Sequence, residues 1–199
     1  MKQKLKQSFY HSNNIIQQSK NLLGKVLISN IDQQLTGGLI VEVEAYLGAE
    51  DRASHSYNNR KTKRTQPMFK KGGIAYIYLC YGMHHLFNIV MGDKGKPYAI
   101  LIRAIKPLLG VNHMLKRRLF ENLKVELTNG PGKLTMALGM TIKDNQESLI
   151  ENKIWIEDHN IHIDKKDILS SPRIGVDYAG RDAKLPYRFY IKNNKWVSK

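Results

Sequence analysis

Two glutamates and a tyrosine alternate along one apolar segment, and side chains of these types can do chemistry together. The segment is Gly37-Gly38-Leu39-Ile40-Val41-Glu42-Val43-Glu44-Ala45-Tyr46. Residues two apart in a β-strand point to the same face, so Glu42, Glu44 and Tyr46 share one face of the predicted strand. Carboxylates in an apolar strand are costly unless they are solvated, paired or used. A carboxylate beside an aromatic wall suits a site that holds a flat ligand and activates a water. An edge or half-exposed strand with salt-bridged glutamates is the alternative.

A second aromatic segment, Tyr76-Ile77-Tyr78-Leu79-Cys80-Tyr81-Gly82-Met83, alternates like a strand and then reaches a turn. Tyr76 and Tyr78 fall on one face, as tyrosines in strands commonly do. Tyr81 stands beside Gly82 at the expected tip of a hairpin, where a large aromatic side chain is poorly placed for a core. This position suits a side chain that is inserted between stacked bases.

The charge of the chain indicates an anionic partner. Its 199 residues carry 32 basic and 17 acidic side chains, a formal net charge of +15. Nucleic acid and anionic membrane surfaces are the usual partners of such a chain. Basic runs at 60–71 and 116–118 fit phosphate contacts, although a solvated charged loop is the common alternative. Gly130-Pro131-Gly132-Lys133 at a helix start could bind one phosphate through backbone N–H groups, or form a simple turn.

Several classes of site are disfavoured by the spacing of the residues. No Cys-x-x-Cys or His-Glu-x-x-His spacing occurs, and His84 and His85 are adjacent, so a zinc site is not expected. A lone histidine such as His55 is more often structural than functional. No glycine loop of the phosphate-cradling type follows a strand, which disfavours a nucleotide-driven motor or a dehydrogenase. The single cysteine, Cys80, and the lack of a recognisable signal peptide or membrane span predict a cytoplasmic protein.

One α+β domain over residues 1–199 is expected to position these residues. The first ten or so residues are a candidate for disorder. We expect a largely antiparallel curved sheet with surrounding helices and a protruding β-hairpin. Strand patterns cover 25–29, 38–46, 74–80, 85–91, 99–105, 154–156, 161–163 and 188–191, and helical patterns cover 12–23, 107–119 and 134–140. The polar segment 47–73 has little periodicity, and a loop of this length is usually functional or disordered.

A set of short motifs runs in order from the first predicted helix to the end of the chain. They are Glu42-Val43-Glu44-Ala45-Tyr46-Leu47-Gly48, Glu50-Asp51, Ser54-His55-Ser56, Met68-Phe69, Tyr76 to Met83 with Asn88, Leu101-Ile102-Arg103-Ala104 with Pro107-Leu108, Asn129 to Leu134 with Ala137-Leu138, Arg173-Ile174-Gly175-Val176 and Arg188-Phe189-Tyr190. Together they resemble the alkyladenine (3-methyladenine) DNA glycosylase family. The resemblance is specific because no single motif carries it.

The resemblance implies roles for seven residues around a base pocket. Glu44 is the expected general base, and Arg103 is expected near the sugar-phosphate and the water. Tyr46, His55 and Tyr78 are the expected walls of the pocket, and Asn88 is expected to exclude the amino group of normal guanine. Tyr81 is the expected wedge that replaces a flipped nucleotide. We further expect contacts to the DNA backbone from Arg64, Met68, Met83 and Lys133.

The resemblance also implies the reaction. The expected protein is a monomeric, monofunctional DNA glycosylase of base excision repair that needs no metal or other cofactor and inserts its hairpin into the minor groove. It would remove alkylated or deaminated purines, of the 3-methyladenine, 7-methylguanine, hypoxanthine and ethenoadenine class, from double-stranded DNA. A non-catalytic DNA- or RNA-binding protein is the alternative, in which the basic loop and the hairpin aromatics only bind. A metal- or nucleotide-dependent nuclease is disfavoured by the missing ligand spacing.

Overall fold

One antiparallel sheet dominates the computed structural model, which describes residues 2–198 and assigns nine strands to that part of the chain. The strands are β1 (Gln3–Lys4), β2 (Val26–Ile31), β3 (Gln34–Tyr46), β4 (Ala75–Cys80), β5 (His84–Met91), β6 (Tyr98–Leu109), β7 (Ile154–Asp158), β8 (Ile168–Ser171) and β9 (Arg188–Ile191). Their order is β1-β7-β2-β3-β6-β5-β4, and β9 pairs with both β3 and β8. With four short helices around it, this sheet confirms the predicted α+β class.

Strand β3 is covered on both faces. Val41, Val43 and Ala45 are fully buried in the main apolar core, and Glu42 and Glu44 on the opposite face are equally inaccessible to solvent. The predicted alternation is therefore present, but the strand is not at an exposed edge. Two buried carboxylates must be paired, since an unpaired buried charge is very costly.

The glycines that open β3 are explained by close backbone contacts. A Cβ atom on Gly38 would lie 2.6 Å from the carbonyl oxygen of Lys106 on β6. A Cβ atom on Gly37 would lie 2.9 Å from the carbonyl oxygen of Leu27 on β2. Real Cβ atoms do not approach backbone oxygens so closely, so glycine allows β3 to fit between its two neighbours.

Two compensating bulges lie between β3 and β6. The pairing steps from Ile40–Ile105 to Glu42–Ala104, so Val41 is an extra residue on β3. It then steps from Glu42–Ala104 to Val43–Ile102, so Arg103 is an extra residue on β6. Bulges of this kind redirect side chains and are common next to active sites.

The hairpin between β4 and β5 ends in a tight turn at the predicted position. The amide of Met83 donates to the carbonyl oxygen of Cys80 over 3.1 Å, and the two central residues, Tyr81 and Gly82, have φ angles of 50° and 72°. Positive φ at both central residues is the geometry of a type I′ turn, which matches the twist of paired strands. A tyrosine in this conformation is uncommon. Its side chain is 86% exposed at the tip.

The helices are α1 (Gln7–Tyr10), α2 (Ile15–Leu22), α3 (Val111–Arg118) and α4 (Pro131–Leu138). The helix predicted to start at Pro107 begins later, because β6 continues through Leu109. Pro107 is tolerated there because it pairs with Gly38 at a break in the register, where the missing N–H is not needed. Leu119 does not belong to the apolar face of α3; it adopts a left-handed φ of 53° at the helix end.

One other prediction, a strand at residues 161–163, needs correction. Residues 161–163 form no strand; β7, which precedes them, already has β1 and β2 on its two sides, and β8 pairs with β9 instead. In the N-terminal segment, β1 pairs with β7 and Tyr10 is fully buried; the expected disorder of the first ten or so residues stays a prediction. Met1 lies outside the described residues. Among residues 2–198, no helix is long and apolar enough to cross a membrane.

Candidate active site

Arg103 joins the two buried glutamates of β3. Its Nε donates to Glu42 Oε1 over 3.0 Å, and its Nη1 lies 3.1 Å from Glu44 Oε1. Burial alone lowers the pKa of Arg103, but the charges of Glu44 and Glu42 outweigh it, so the pKa of Arg103 lies above its ordinary value. The bulge on β6 thus places a permanently charged guanidinium between two carboxylates.

Glu44 is held by donors from three different parts of the chain. Besides Arg103, the hydroxyl of Tyr46 donates to Oε2 over 2.8 Å, and the amide of Ile174 donates to Oε1 over 2.8 Å. Burial and the neighbouring Glu44 charge raise the pKa of Tyr46 well above its ordinary value, so this hydroxyl keeps its proton and remains a donor. The carboxylate therefore has a fixed orientation.

A cavity of about 370 Å³ lies next to the residues that hold this carboxylate. Its size lies in the range of small-ligand sites, about 300–1,000 Å³. All three donors to Glu44, namely Tyr46, Arg103 and Ile174, belong to its lining. The Glu44 side chain itself is fully buried, so the residues that hold the carboxylate lie between it and the cavity.

One wall of the cavity is a cluster of aromatic rings. The ring centroids of His55 and Tyr78 are 4.6 Å apart with an interplanar angle of 80°. Tyr76 stands beside them, and its hydroxyl lies 3.0 Å from His55 Nδ1. The guanidinium of Arg64, from the loop 47–73, lies 4.7 Å from the centroid of Tyr78 and 3.3 Å from His55 Nε2. A flat ligand can stack against such a wall.

His55 is neutral near pH 7. Burial, together with the positive charges of Arg64 and Arg60, lowers the pKa of His55 from 6.5 to about 4. Because Arg64 can only donate, the contact at Nε2 makes this nitrogen the acceptor and leaves the proton on Nδ1, facing Tyr76. An uncharged imidazole does not repel a cationic ligand.

Asn88 and Met68 complete the inner part of the cavity. The amide nitrogen of Asn88 donates to the carbonyl oxygens of Tyr76 at 3.1 Å and Leu86 at 3.4 Å, which fixes the side chain. Met68 is 2% exposed and lines the cavity, and its amide N–H already donates to Thr65. Met68 therefore lies inside the pocket, and its buried side chain is not available for the expected contact with the DNA backbone.

The remaining predicted residues lie at the mouth of the cavity or on the surface near it. Tyr81, at the hairpin tip, belongs to its rim, as does Lys133, whose Nζ donates to Asn129 Oδ1 over 2.9 Å. Arg64 is exposed and approaches Tyr78 from outside the lining. Met83 is 66% exposed on the other side of the hairpin, in a second groove beside α4.

Sequence reasoning gave no role to the ion pair between Arg173 and Asp51, which is the clamp that fixes Ile174 in the wall of the cavity. Arg173 makes a two-point ion pair with Asp51, at 2.5 Å from Nη1 to Oδ2 and 2.8 Å from Nη2 to Oδ1. The same guanidinium lies 4.8 Å from the ring centroid of Tyr46. Arg173 precedes Ile174, so this ion pair holds the amide that binds Glu44. Both residues occur in the quoted motifs, but only the fold shows that they meet.

The arrangement can hold a flat aromatic ligand against tyrosine and histidine rings and place a fixed carboxylate beneath it. No group of three or more His, Cys, Asp or Glu side chains suited to a metal ion is found within residues 2–198.

Comparison with known proteins agrees with these features. The family model described as "Methylpurine-DNA glycosylase (MPG)" matches residues 8–195. A protein of Chlamydia abortus named "Putative 3-methyladenine DNA glycosylase" is 48% identical over 196 residues, covering 95% of this chain and 100% of its own length. Proteins with the same name from Chlamydia felis (46% identical, 96% and 97% covered) and Clostridium botulinum (45% identical, 96% and 96% covered) are equally similar in extent. The chain belongs to the methylpurine-DNA glycosylase family.

Proposed function

We propose that this protein rotates alkylated or deaminated purines out of double-stranded DNA and hydrolyses their N-glycosidic bond with a water that Glu44 activates. The substrates would be of the 3-methyladenine, 7-methylguanine, hypoxanthine and ethenoadenine class. The observation that carries this proposal is the fully buried carboxylate of Glu44, fixed directly behind an aromatic cavity of about 370 Å³. A protein that only bound nucleic acid would gain nothing from a carboxylate in this position.

The surface supports binding to duplex DNA. The net charge of +15 favours a polyanion, and the affinity should fall steeply with salt because phosphate contacts release counterions. Arg64, Met83 and Lys133 lie around the mouth of the cavity or on the hairpin, where they can contact the DNA backbone. A monomer acting in the cytoplasm fits this mode of binding.

The hairpin supports base flipping. A base cannot be attacked within the stack, so its nucleotide must be rotated out at a cost of a few kcal/mol, less for a damaged base. Tyr81 is 86% exposed at the tip and borders the cavity, so it can fill the space that the rotated nucleotide leaves. The left-handed backbone of the turn fixes where this side chain points.

The aromatic wall supports selection of damaged purines. A cationic base such as 3-methyladenine is attracted to the face of a tyrosine by about 0.5–2 kcal/mol. Tyr46 and Tyr78 offer such rings, and His55 adds no positive charge near pH 7 because its pKa is lowered to about 4. Asn88 is locked by two carbonyl oxygens and can exclude the amino group of normal guanine by occupying that volume.

In the chemical step, the water oxygen bonds to C1′ of the sugar as the bond from C1′ to the base nitrogen breaks. The base leaves with the bonding electron pair, and Glu44 receives the proton of the water. The carboxylate also stabilises the positive charge that develops on the sugar, as carboxylates do in glycoside hydrolysis. Because Tyr46 covers Oε2, the water must hydrogen-bond beside this hydroxyl or displace it. Arg103 fixes the carboxylate during the reaction.

We propose an abasic site as the product, without strand cleavage. Cleavage by a glycosylase of the lyase type needs an amine that forms a Schiff base with the sugar. Lys133 is the lysine in the lining of the cavity, and its Nζ is engaged in a hydrogen bond to Asn129 Oδ1. The mechanism therefore uses water as the nucleophile.

The test is base release from a duplex with one hypoxanthine or one methylated purine, measured in EDTA. We expect free base, and strand breaks that appear only after alkali. Strand breaks without alkali would show that a lyase step exists. Tight, salt-sensitive binding without base release would favour the alternative of a DNA-binding protein, and activity that EDTA abolishes would indicate a metal-dependent enzyme.

A further inference from the structure

Glu42 does not touch the cavity, yet it is among the most heavily hydrogen-bonded side chains of the protein. Its Oε1 accepts from Arg103 Nε at 3.0 Å, Arg188 Nε at 2.6 Å and Ser198 Oγ at 2.8 Å. Its Oε2 accepts from the amide N–H of Ser198 at 2.6 Å. The side chain is fully buried, so solvent supplies none of these bonds.

Ser198 contacts every member of this cluster. In addition to its two bonds to Glu42, its hydroxyl accepts from Arg103 Nη2 at 3.4 Å, and its carbonyl oxygen accepts from Arg188 Nη2 at 3.0 Å. Ser198 is 6% exposed, and Trp196, two residues before it, is anchored in the main core. The segment around Ser198 is thus fixed against the charged side chains of Glu42, Arg103 and Arg188.

The two oxygens of Glu42 are held in different ways. Three donors share Oε1, whereas the Ser198 amide is the donor to Oε2 among the hydrogen bonds of residues 2–198. The contact at Oε2 adds a second point of attachment, which further restricts rotation of the carboxylate about its Cγ–Cδ bond. Since a guanidinium is planar and rigid, fixing Arg103 at Nε also fixes where its Nη1 meets Glu44.

We propose that Ser198, acting through Glu42, is a positioning residue that fixes the guanidinium of Arg103 against the reactive carboxylate of Glu44. The role in catalysis rests on the proposed function, whereas the role in holding Arg103 does not. Ser198 is buried and does not line the cavity, so its effect on the reaction passes through two side chains. A reacting group displaced by about 1 Å can lose about 100-fold in rate.

Two substitutions separate the bonds that Ser198 makes. Ser198→Ala removes the hydroxyl and keeps the amide, and Ser198→Pro removes the amide N–H that binds Glu42 Oε2. Ser170→Ala, at an exposed serine of β8, is the matched control. Under single-turnover conditions with saturating enzyme, we expect base release to slow about 10- to 100-fold in Ser198→Pro and less in Ser198→Ala, with Ser170→Ala unchanged. The Kd for lesion-containing DNA should change less than twofold, since no DNA contact is lost.

Coupling to Arg103 distinguishes positioning from a general loss of stability. In an Arg103→Lys background, the further effect of Ser198→Pro on the rate should largely disappear, because residues that act through one another are not additive. Full additivity would overturn the proposal, as would wild-type rates in both Ser198 variants.

A second readout does not depend on activity. In ¹⁵N NMR spectra, we expect the Nε–H proton of Arg103, enclosed against Glu42, to exchange slowly with solvent in the wild type. The exchange should be at least about 10-fold faster in Ser198→Ala, which keeps the amide but lacks the hydroxyl. Equal exchange rates in the wild type and both Ser198 variants would show that Ser198 does not hold Arg103. Absence of base release from the wild type would contradict the proposed function, and the exchange rates would still decide this point.

Discussion

Asp51→Asn should destabilise the protein strongly, because Asp51 neutralises an arginine that is almost inaccessible to solvent. The side chains of Arg173 and Asp51 are 0% and 2% exposed. The Asp51 carboxylate also accepts the amides of Leu47 and Ala53, both at 3.0 Å, so four donors converge on two oxygens. Asparagine offers one oxygen, and at least one pair of these donors would then face an NH₂ group.

The expected loss can be estimated from the burial of the pair. Removing one partner of a buried ion pair costs about 3–5 kcal/mol, because the other charge remains buried without compensation. Domains have a free energy of unfolding of about 5–15 kcal/mol, so this loss is a large part of the total. For a chain of this length it corresponds to a decrease in Tm of roughly 6–20 °C.

Equilibrium unfolding in urea measures this loss directly. Asp177→Asn is the matched control, since Asp177 is exposed, and it should change the free energy of unfolding by less than about 0.5 kcal/mol. The double variant Asp51→Asn/Arg173→Met should recover part of the loss, because removing both charges of a buried pair is often close to neutral. If Asp51→Asn stays within about 1 kcal/mol of the wild type, the ion pair is not the clamp described above.

Three further predictions concern the cavity and the hairpin. Tyr81→Ser should weaken the capture of lesion-containing DNA about 10-fold or more, since stacking of one aromatic side chain on a base contributes about 1–3 kcal/mol; unchanged flipping, followed by 2-aminopurine fluorescence, would argue against a wedge. Asn88→Ala should increase release of undamaged guanine relative to a methylated purine, and an unaltered product spectrum would count against exclusion by this side chain. The pKa of His55 is lowered from 6.5 to about 4, so between these values the unfolded state binds a proton that the folded state does not, and stability falls as the pH falls through this window. Urea unfolding at pH 7.5 and at pH 5 measures the free energy of unfolding that is lost on acidification. This loss should be larger in the wild type than in His55→Gln, by at most about 2 kcal/mol, and equal losses would show that His55 titrates normally.

Local patterns were sufficient to predict much of the fold. The alternation in β3 and β4 and the Tyr81-Gly82 pair gave the strands and the hairpin tip, because side-chain period and turn chemistry are local properties. The course of the chain after Lys106 was mispredicted, since Pro107 is acceptable in a strand only at a break in register. That break depends on Gly38, a residue distant in sequence.

The site could be predicted only in part for the same reason. Glu44 and Tyr46 lie two residues apart, so their contact follows from strand geometry. The contacts of Glu42 with Arg103 and Ser198 span 61 and 156 positions, and no local pattern reports them. The bulge that turns Arg103 between the glutamates is likewise a property of two paired strands. Met68 was expected to contact DNA, but the packing of its loop places it inside the cavity.

The most direct test of the account compares the wild type with Glu44→Gln on a duplex that carries one hypoxanthine, under single-turnover conditions. Glutamine keeps the shape of the side chain but cannot accept the proton of the water. We expect the variant to bind the duplex with a Kd close to that of the wild type and to release base at least about 100-fold more slowly, as is typical when a general base is lost. Base release by Glu44→Gln at nearly the rate of the wild type would contradict the role of Glu44 and require another residue to activate the water.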